Sequence, residues 1–502
     1  MAKITSNSYI LSIDQGTSGT KAILFHTSGR LVAKATEPLK SYYPKPGFVE
    51  QDPDEIYNSV IGAVKKCCDV FKGKNQGEMP NIVSCGISNQ RETFVIWDKN
   101  GNPLRNAVVW QCKRSVAICE ELDREGLEES INKKTGLTID PYFSATKVIW
   151  LYRNEDRIKR AIDRGEAFFG TIDSWLLFKL TKGEKYLTDH TNASRTLLYN
   201  IFDLKWDAGL IGDFGVSGLR LPEVLPSASH YGESDFDGVF ERAVPITGMI
   251  GDSHAAFFGE GCFETGMAKA TLGTGSSILW NAEQVGAENK SGVLTTVAYS
   301  LDAKVNYAFE GVIVSCGSTL EWLRSQLGVF SSNEEIETMA TSLTDNEGVY
   351  LVPAFSGMGA PYWEKGWKGS IHGLTFGTTK NHLVRAALES IAFQIKDVIQ
   401  AIELETGHHL KELNVDGGIT ANRFLMQFMA DLLQKPVINI GISDVSALGA
   451  AFVSGMGAGI WKKTDELPRF EEGTNLHYFP QENRSAHRAY AYWQFLLQSK
   501  NC

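Results

Sequence analysis

Twice in this chain a strand-like apolar run enters a short turn of Gly, Thr and Ser and returns as a second strand-like run. Residues 8–14 lead into Gly16-Thr17-Ser18-Gly19, and Lys21 to His26 form the returning strand. Ala268 to Leu272 lead into Gly273-Thr274-Gly275-Ser276, and the chain returns through Ile278 to Trp280. The repeat predicts a duplicated architecture in which each half begins with a glycine-turn hairpin. Two unrelated hairpins are the alternative, because the match is short. A chain of 502 residues exceeds what one hydrophobic core holds, so two domains are expected in either case. Phe258-Gly259-Glu260-Gly261 closes a helical stretch just before the second hairpin. This puts the boundary near residues 258–266 and divides the chain into residues 1–260 and 261–502. Asp52 to Phe71 read as a helix, with Asp52 as cap, Pro53 in the first turn, and Ile56, Val60, Val64 and Cys67 on one face. Residues 82–87 and 93–97 read as strands, and another helix starts near Ser318. Alternating strands and helices predict the α/β class.

Composition narrows the function classes. Apolar residues make up 43% and charged residues 22%, ordinary for a soluble chain with buried cores. A net charge of −10 argues against a nucleic-acid partner, whose phosphates need clustered Lys and Arg. A small phosphorylated ligand stays open, because backbone amides can hold phosphate without net positive charge. The eight cysteines form no C-x-x-C pair, so neither a zinc site nor a disulfide framework is indicated. Reduced, mostly buried thiols are expected. No run at the N-terminus suits a signal peptide, and none reaches the roughly 18 apolar residues of a membrane span. A cytoplasmic protein without a membrane partner is the expectation.

Several short stretches carry residue types suited to chemistry. In Asp14-Gln15-Gly16-Thr17-Ser18-Gly19-Thr20-Lys21, a glycine turn lets backbone N–H groups converge on an anion and the hydroxyls add donors. Asp14 at the strand end can hold Mg²⁺ through water. The spacing is not that of a Walker loop, and a plain hairpin turn is the other reading. Asp416-Gly417-Gly418 follows an apolar strand and precedes a helix beginning near Asn422. Paired glycines let a flat ligand lie against backbone there, with Asn422 bonding a base or ribose; a tight strand-to-helix turn is the alternative. Asp252 follows Val244 to Gly251, where a strand gives way to a helix. Taken alone it reads as a helix N-cap; in a site it is a general base for a substrate hydroxyl. His254 has no partner at metal spacing and reads as a packed or exposed side chain. Asn89-Gln90-Arg91-Glu92-Thr93 lies between two strands. A guanidinium and a carboxylate side by side can clamp a diol, Arg donating to the oxygens and Glu accepting from the hydroxyls. Otherwise they form a surface ion pair. Trp110 and Tyr142 read first as core or wall residues, Trp110 with one edge toward a polar cleft.

In their order and number, these stretches resemble the FGGY carbohydrate kinases, and within them most closely the glycerol kinase branch, from Ile10 to about Trp461. The matching motifs are Asp14-Gln-Gly-Thr, Ser88-Asn-Gln-Arg-Glu-Thr, Val109-Trp-Gln, Asp140-Pro-Tyr-Phe-Ser-Ala-Thr-Lys, Phe309-Glu-Gly, Val352-Pro-Ala-Phe-Ser-Gly-Met-Gly, Val415-Asp-Gly-Gly and Ala447-Leu-Gly-Ala-Ala. The resemblance implies two actin-like, ribonuclease-H-like domains closing over a cleft. It implies ATP-dependent phosphoryl transfer to a primary hydroxyl of a small polyol, with glycerol the first candidate. Asp252 then falls on the position of the base. Arg91, Glu92, Tyr142, Asp252 and Ser253 fall on polyol positions, with Trp110 as a wall. Thr17, Ser18, Gly19, Lys21, Thr274, Gly317, Glu321, Gly418 and Asn422 fall on nucleotide-contact positions, and Asp14 and Asp252 on positions linked to Mg²⁺. The resemblance allows a homodimer or a homotetramer.

Three sites depart from that branch. Ser253 stands where Gln is usual after the catalytic Asp. Ser276-Ser277 stand where Cys-Phe is usual, the Phe backing the carbon face of glycerol. Lys21 stands where Arg is common, which keeps the charge but loses the bidentate fork. The first two changes make the pocket roomier and more polar. That admits a four- or five-carbon polyol or ketose, of the erythritol, erythrulose, xylulose or ribulose type, as the alternative acceptor. Two further classes fit less of the sequence. An actin- or chaperone-like ATPase lacks the Arg91–Glu92 clamp, and a non-catalytic sugar-binding regulator needs neither Asp252 nor two phosphate turns.

Overall fold

The computed structural model describes residues 7–282, 285–286, 291–302, 304–442, 444–468 and 476–499. In the first half, β1 (Ser8–Gln15), β2 (Gly19–His26) and β3 (Leu31–Pro38) form an antiparallel meander. β4 (Asn81–Asn89) runs parallel to β1. β5 (Ala228–Ser234) is antiparallel to β6 (Val244–Gly251), which runs parallel to β4. The second half opens with the hairpin β7 (Met267–Leu272) and β8 (Ser276–Asn281), followed by β9 (Leu294–Leu301) and β10 (Lys304–Ile313). β10 is antiparallel to both β8 and β9. β11 (Glu412–Asp416) and β12 (Val437–Asn439) add parallel strands beside β7, and β13 (Leu476–Tyr478) closes that edge.

The expected duplication is therefore present in the strand order. β3-β2-β1-β4-β6 in the first half has the same order and directions as β10-β8-β7-β11-β12 in the second. One bridge, Ala228 to Leu301 between β5 and β9, joins the two into a 13-stranded sheet. The strand expected at 93–97 forms as Phe94–Trp97 but leaves this sheet. It pairs instead with Ala107–Val108 and Phe168–Thr171 in a small four-stranded sheet.

α1 (Pro53–Lys74) begins where the sequence places it. Asp52 accepts from the Asp54 and Glu55 amides, and the Ile56–Val60–Val64–Cys67 face is buried, with the helix packed against β2 and β3. The other helices used below are α2 (Ser144–Asn154), α3 (Asp252–Gly259), α4 (Gly317–Ser325), α5 (Asn333–Thr341), α6 (Lys380–Thr406), α7 (Arg423–Leu433) and α8 (Val445–Gly457). α8 belongs to the second half by sequence, yet it packs on β1, β4 and β6 of the first half and against α3. α3 in turn contacts β7, β8 and β9. Small residues make this exchange possible. A Cβ at Gly449 would lie 1.7 Å from the Ala255 carbonyl oxygen, and one at Gly86 would lie 2.1 Å from that of Ala450. The Ala447-Leu-Gly-Ala-Ala motif is thus the close-packed junction of the two halves. The seven cysteines among the described residues are buried; Cys502 lies outside them. No helix among the described residues is long and apolar enough to cross a membrane.

Candidate active site

Register decides where the site lies. β1, β4 and β6 are parallel neighbours, with Asp14 beside Ser88 and Gly251 beside Asn89, so the three strands end together. The crevice outside such carboxyl ends is where open α/β sheets bind ligands. Asp14, the 90–93 loop and Asp252 meet there although the chain separates them widely.

Arg91 and Glu92 are buried, which removes the surface-pair reading. They also do not pair with each other. Arg91 donates from Nε to Asp252 Oδ1 (3.2 Å) and from Nη1 to Glu310 Oε1 (2.8 Å). Glu92 accepts from Arg195 Nε at 2.7 Å, and Arg195 Nη1 lies 2.5 Å from Glu310 Oε2. The result is one alternating chain of charges: Asp252, Arg91, Glu310, Arg195, Glu92. Glu92 sits at φ +60°, a left-handed conformation that costs a non-glycine residue on the order of 1–3 kcal/mol. Ser144 Oγ, at the start of α2, holds its carbonyl at 2.8 Å. Burial pushes the Glu92 carboxyl up, and the guanidiniums of Arg195 and Arg91 offset this only in part. Burial also opposes ionisation of Glu310, but with Arg195 and Arg91 both on it the carboxyl falls well below the usual range.

Asp252 does not cap its helix. Gly251 is the N-cap residue of α3, and a Cβ there would lie 2.7 Å from Arg91 Cγ, so glycine gives the arginine room to cross. The Asp252 carboxylate accepts instead from Arg91 and, at 2.6 Å, from the Ser253 amide. Its side chain is 37% exposed, which leaves it open to the cleft while its partners are buried. His254 is packed, and burial first, then Arg91, drive its pKa far down, so the ring is neutral.

Trp110 and Tyr142 pack edge to face at 5.5 Å beside this chain of charges. Lys147, fully buried, donates to the Pro141 and Tyr142 carbonyls, each at 2.7 Å, and so fixes the loop that carries Tyr142. Burial lowers the Lys147 pKa to about 8. Trp110 Nε1 donates to Thr17 Oγ1 at 2.9 Å. Thr17, on a nucleotide position by resemblance, is thus also tied to the aromatic wall.

The two glycine turns close alike, Gly16 N to Gly19 O at 2.9 Å and Gly273 N to Gly275 O at 3.0 Å. Their surroundings differ. Around the second turn lies a cavity of about 880 Å³, and Thr274, Gly317, Glu321, Gly418 and Asn422 all line it. Gly417 has φ +100° and its absent Cβ would lie 2.4 Å from the Leu272 carbonyl oxygen, so only glycine lets β11 turn this close to β7. Asn422 caps α7 by accepting from the Leu425 amide at 2.8 Å, which leaves its NH₂ for a ligand. Glu321 is exposed and pairs with Arg324 at 2.6 Å. Thr17, Ser18, Gly19 and Lys21 do not line this cavity. Ser18 is exposed; a Cβ on Gly19 would lie 2.6 Å from the Glu37 carbonyl oxygen. Lys21 lies 3.1 Å from Asp444 and 3.7 Å from Asp14. Asp14 accepts from Ser88 Oγ at 2.6 Å; burial raises its pKa, Lys21 opposes this, and Asp252 adds to it by repulsion.

Arg195 and Glu310 are the members of the cluster that the sequence did not single out. Glu310 sits in Phe309-Glu-Gly, which carries the resemblance but no role. Arg195 follows a run of small polar residues that has no periodic signal.

Two halves of like strand order thus carry a part-exposed carboxylate on one side and a glycine-turn cavity on the other. The N-terminal-domain signature of the FGGY family of carbohydrate kinases matches residues 9–259, and its C-terminal-domain signature matches residues 268–458. The chain belongs to this family and has its two actin-like, ribonuclease-H-like domains. Among its relatives are the glycerol kinase of Petrotoga mobilis, 46% identical over 491 residues and 97% of each chain, and that of Bacillus subtilis, 44% identical over 488 residues and 97% of each. Among solved structures, Plasmodium falciparum glycerol kinase with ADP superposes with a TM-score of 0.90 at 34% identity, covering 100% of both chains.

Proposed function

We propose that this protein transfers the γ-phosphoryl group of ATP to a primary hydroxyl of glycerol, giving glycerol 3-phosphate and ADP. The observation that carries the reading is the part-exposed Asp252 carboxylate held on a buried guanidinium whose Nε and Nη1 are paired, beside an aromatic wall. The kinship to glycerol kinases at 46% and 44% identity supports glycerol as the acceptor. Residues 1–260 form the acceptor half and residues 261–502 the nucleotide half.

In this reading Arg91 donates to the acceptor's oxygens, Glu92 and Tyr142 take its other hydroxyls, and Trp110 covers its carbon face. Asp252 accepts the proton of the attacking hydroxyl, that oxygen bonds to the γ-phosphorus, and the bridging oxygen leaves with ADP. Thr274, Gly317, Gly418 and Asn422 hold the nucleotide, and Thr17, Ser18, Gly19 and Lys21 approach its phosphates from the other half. Closure of the halves keeps water from competing with the hydroxyl.

Mg²⁺ fits the residues present. Asp14 and Asp252 are oxygen ligands that repel one another across the site, a strain that a hard cation relieves. Among the described residues no three ligating side chains converge, which suits an ion held by one or two carboxylates, water and phosphate oxygens. Asp14 and Asp252 would hold the ion, which would supply charge neutralisation at the phosphates.

One observation favours a second acceptor class. Ser253 Oγ and Ser277 Oγ, 2.9 Å apart, present hydroxyls beside Glu310 where an extra acceptor hydroxyl could bond. ADP release measured over glycerol, dihydroxyacetone, erythritol, erythrulose, xylulose and ribulose tests both readings. Glycerol is expected to give the highest kcat/KM; a larger acceptor far above it overturns the glycerol assignment and leaves the kinase standing.

A further inference from the structure

Lys269 lies in β7 between Ala268 and Ala270, both in the core, and is itself fully buried. Strand alternation puts it on the same face as Thr271. Its ammonium donates to Ser253 Oγ at 2.6 Å and to Thr271 Oγ1 at 2.8 Å. Both hydrogen-bond partners are neutral hydroxyls, and the carboxylates of Asp416 and Glu260 act on it only at longer range. An ammonium buried on such partners is costly to desolvate, and an aliphatic side chain would fill the space more cheaply. Packing therefore does not explain it.

Its two partners lead in opposite directions. Ser253 follows Asp252 in α3, its amide is bonded to the Asp252 carboxylate, and its hydroxyl meets Ser277, which donates to Glu310 at 3.0 Å. Thr271 donates to Asp416 Oδ2 at 2.8 Å, and Asp416 ends β11 immediately before the Gly417-Gly418 turn on the large cavity. One cation thus joins the first turn of α3, which belongs to the first half, to the turn that shapes the cavity in the second.

We propose that Lys269 is a positioning residue that sets Asp252, through Ser253, in register with the Gly417-Gly418 turn, so that acceptor and nucleotide meet in line. This rests on the kinase reading above. Misplacing reacting groups by about 1 Å costs roughly 100-fold in rate, whereas each binding surface stays intact. Lys269→Met is expected to lower kcat about 10- to 100-fold with both KM values within about threefold of wild type. Thr271→Val, which keeps shape but removes the relaying hydroxyl, lowers kcat in the same direction, and Thr271→Ser restores it.

Steady-state kinetics on the folded full-length variants decide the matter. A Lys269→Met kcat within threefold of wild type, or a loss that falls on KM instead, overturns the proposal. So does a Thr271→Ser enzyme as impaired as Thr271→Val, and this pair decides alone if Lys269→Met does not fold. Absence of wild-type turnover on every acceptor sinks the kinase reading instead, which keeps the two failures apart.

Discussion

The charged cluster at the ends of β1, β4 and β6 and the cavity beside the second glycine turn follow opposite physical rules. In the first, four of the five charges are buried and matched by their neighbours within hydrogen-bond or ion-pair reach. In the second, the ligand-facing groups are a backbone turn, a helix cap and an exposed glutamate. Burial makes a charge expensive unless paired, so the cluster must be built before substrate arrives. A phosphate-holding turn works with backbone amides and needs no such assembly. On the proposed function, the difference predicts that substitutions in the first region act on rate and stability, and those in the second on binding.

Four substitutions break or sharpen this contrast, from the largest effect to the smallest. Asp252→Asn removes the base but keeps the shape. Turnover is expected to fall by about 10²- to 10⁴-fold, roughly 3–5 kcal/mol of barrier, with the thermal midpoint little changed. Near wild-type turnover in a coupled assay removes Asp252 from the chemistry.

Arg195→Met leaves Glu92 and Glu310 buried with one cation fewer. A loss of about 3–5 kcal/mol in urea unfolding is expected, and a loss below about 1 kcal/mol would show that the cluster is not held by its pairs.

Lys147 gives a pH test. Its folded pKa, about 8, lies below the roughly 10.4 of an unfolded lysine, so below pH 8 folding carries the full cost of burying the ammonium. As pH rises from 8 toward 10.4 the unfolded chain binds more protons than the folded one, and stability rises. Unfolding of wild type against Lys147→Met across that window is expected to show a relative gain of up to roughly 3 kcal/mol. Parallel curves contradict the buried, charged assignment.

Glu321→Gln, at the open cavity, is expected to leave stability within about 0.5 kcal/mol, because its partner Arg324 is exposed as well. A modest change in the KM for ATP, with kcat preserved, is the signature of a binding-only region.

Much of this could be read from the residues. The two hairpins, the capped helix after Asp52 and the Gly-Gly turn before Asn422 follow from local periodicity and turn chemistry, and all formed near the expected positions. Arg91, Glu92 and Asp252 were recognisable as chemistry-bearing types. Their pairing was not. The neighbours Arg91 and Glu92 turned away from each other, toward partners 219 and 103 positions along the chain. The expected cap at Asp252 gave way to Gly251, since Arg91 claims the carboxylate.

What the sequence by itself determined is the duplicated hairpin, the α/β alternation and the presence of an acid, a guanidinium and two glycine turns. Each depends on residues within a turn or a strand length of one another. Only the tertiary structure decided that the second turn alone opens on the large cavity, that Arg195 and Glu310 complete the charge chain, and that Lys269 bridges the halves. Those outcomes depend on sheet register and on α8 crossing to the first half's strands, contacts between residues too far apart in the chain for any local pattern to encode.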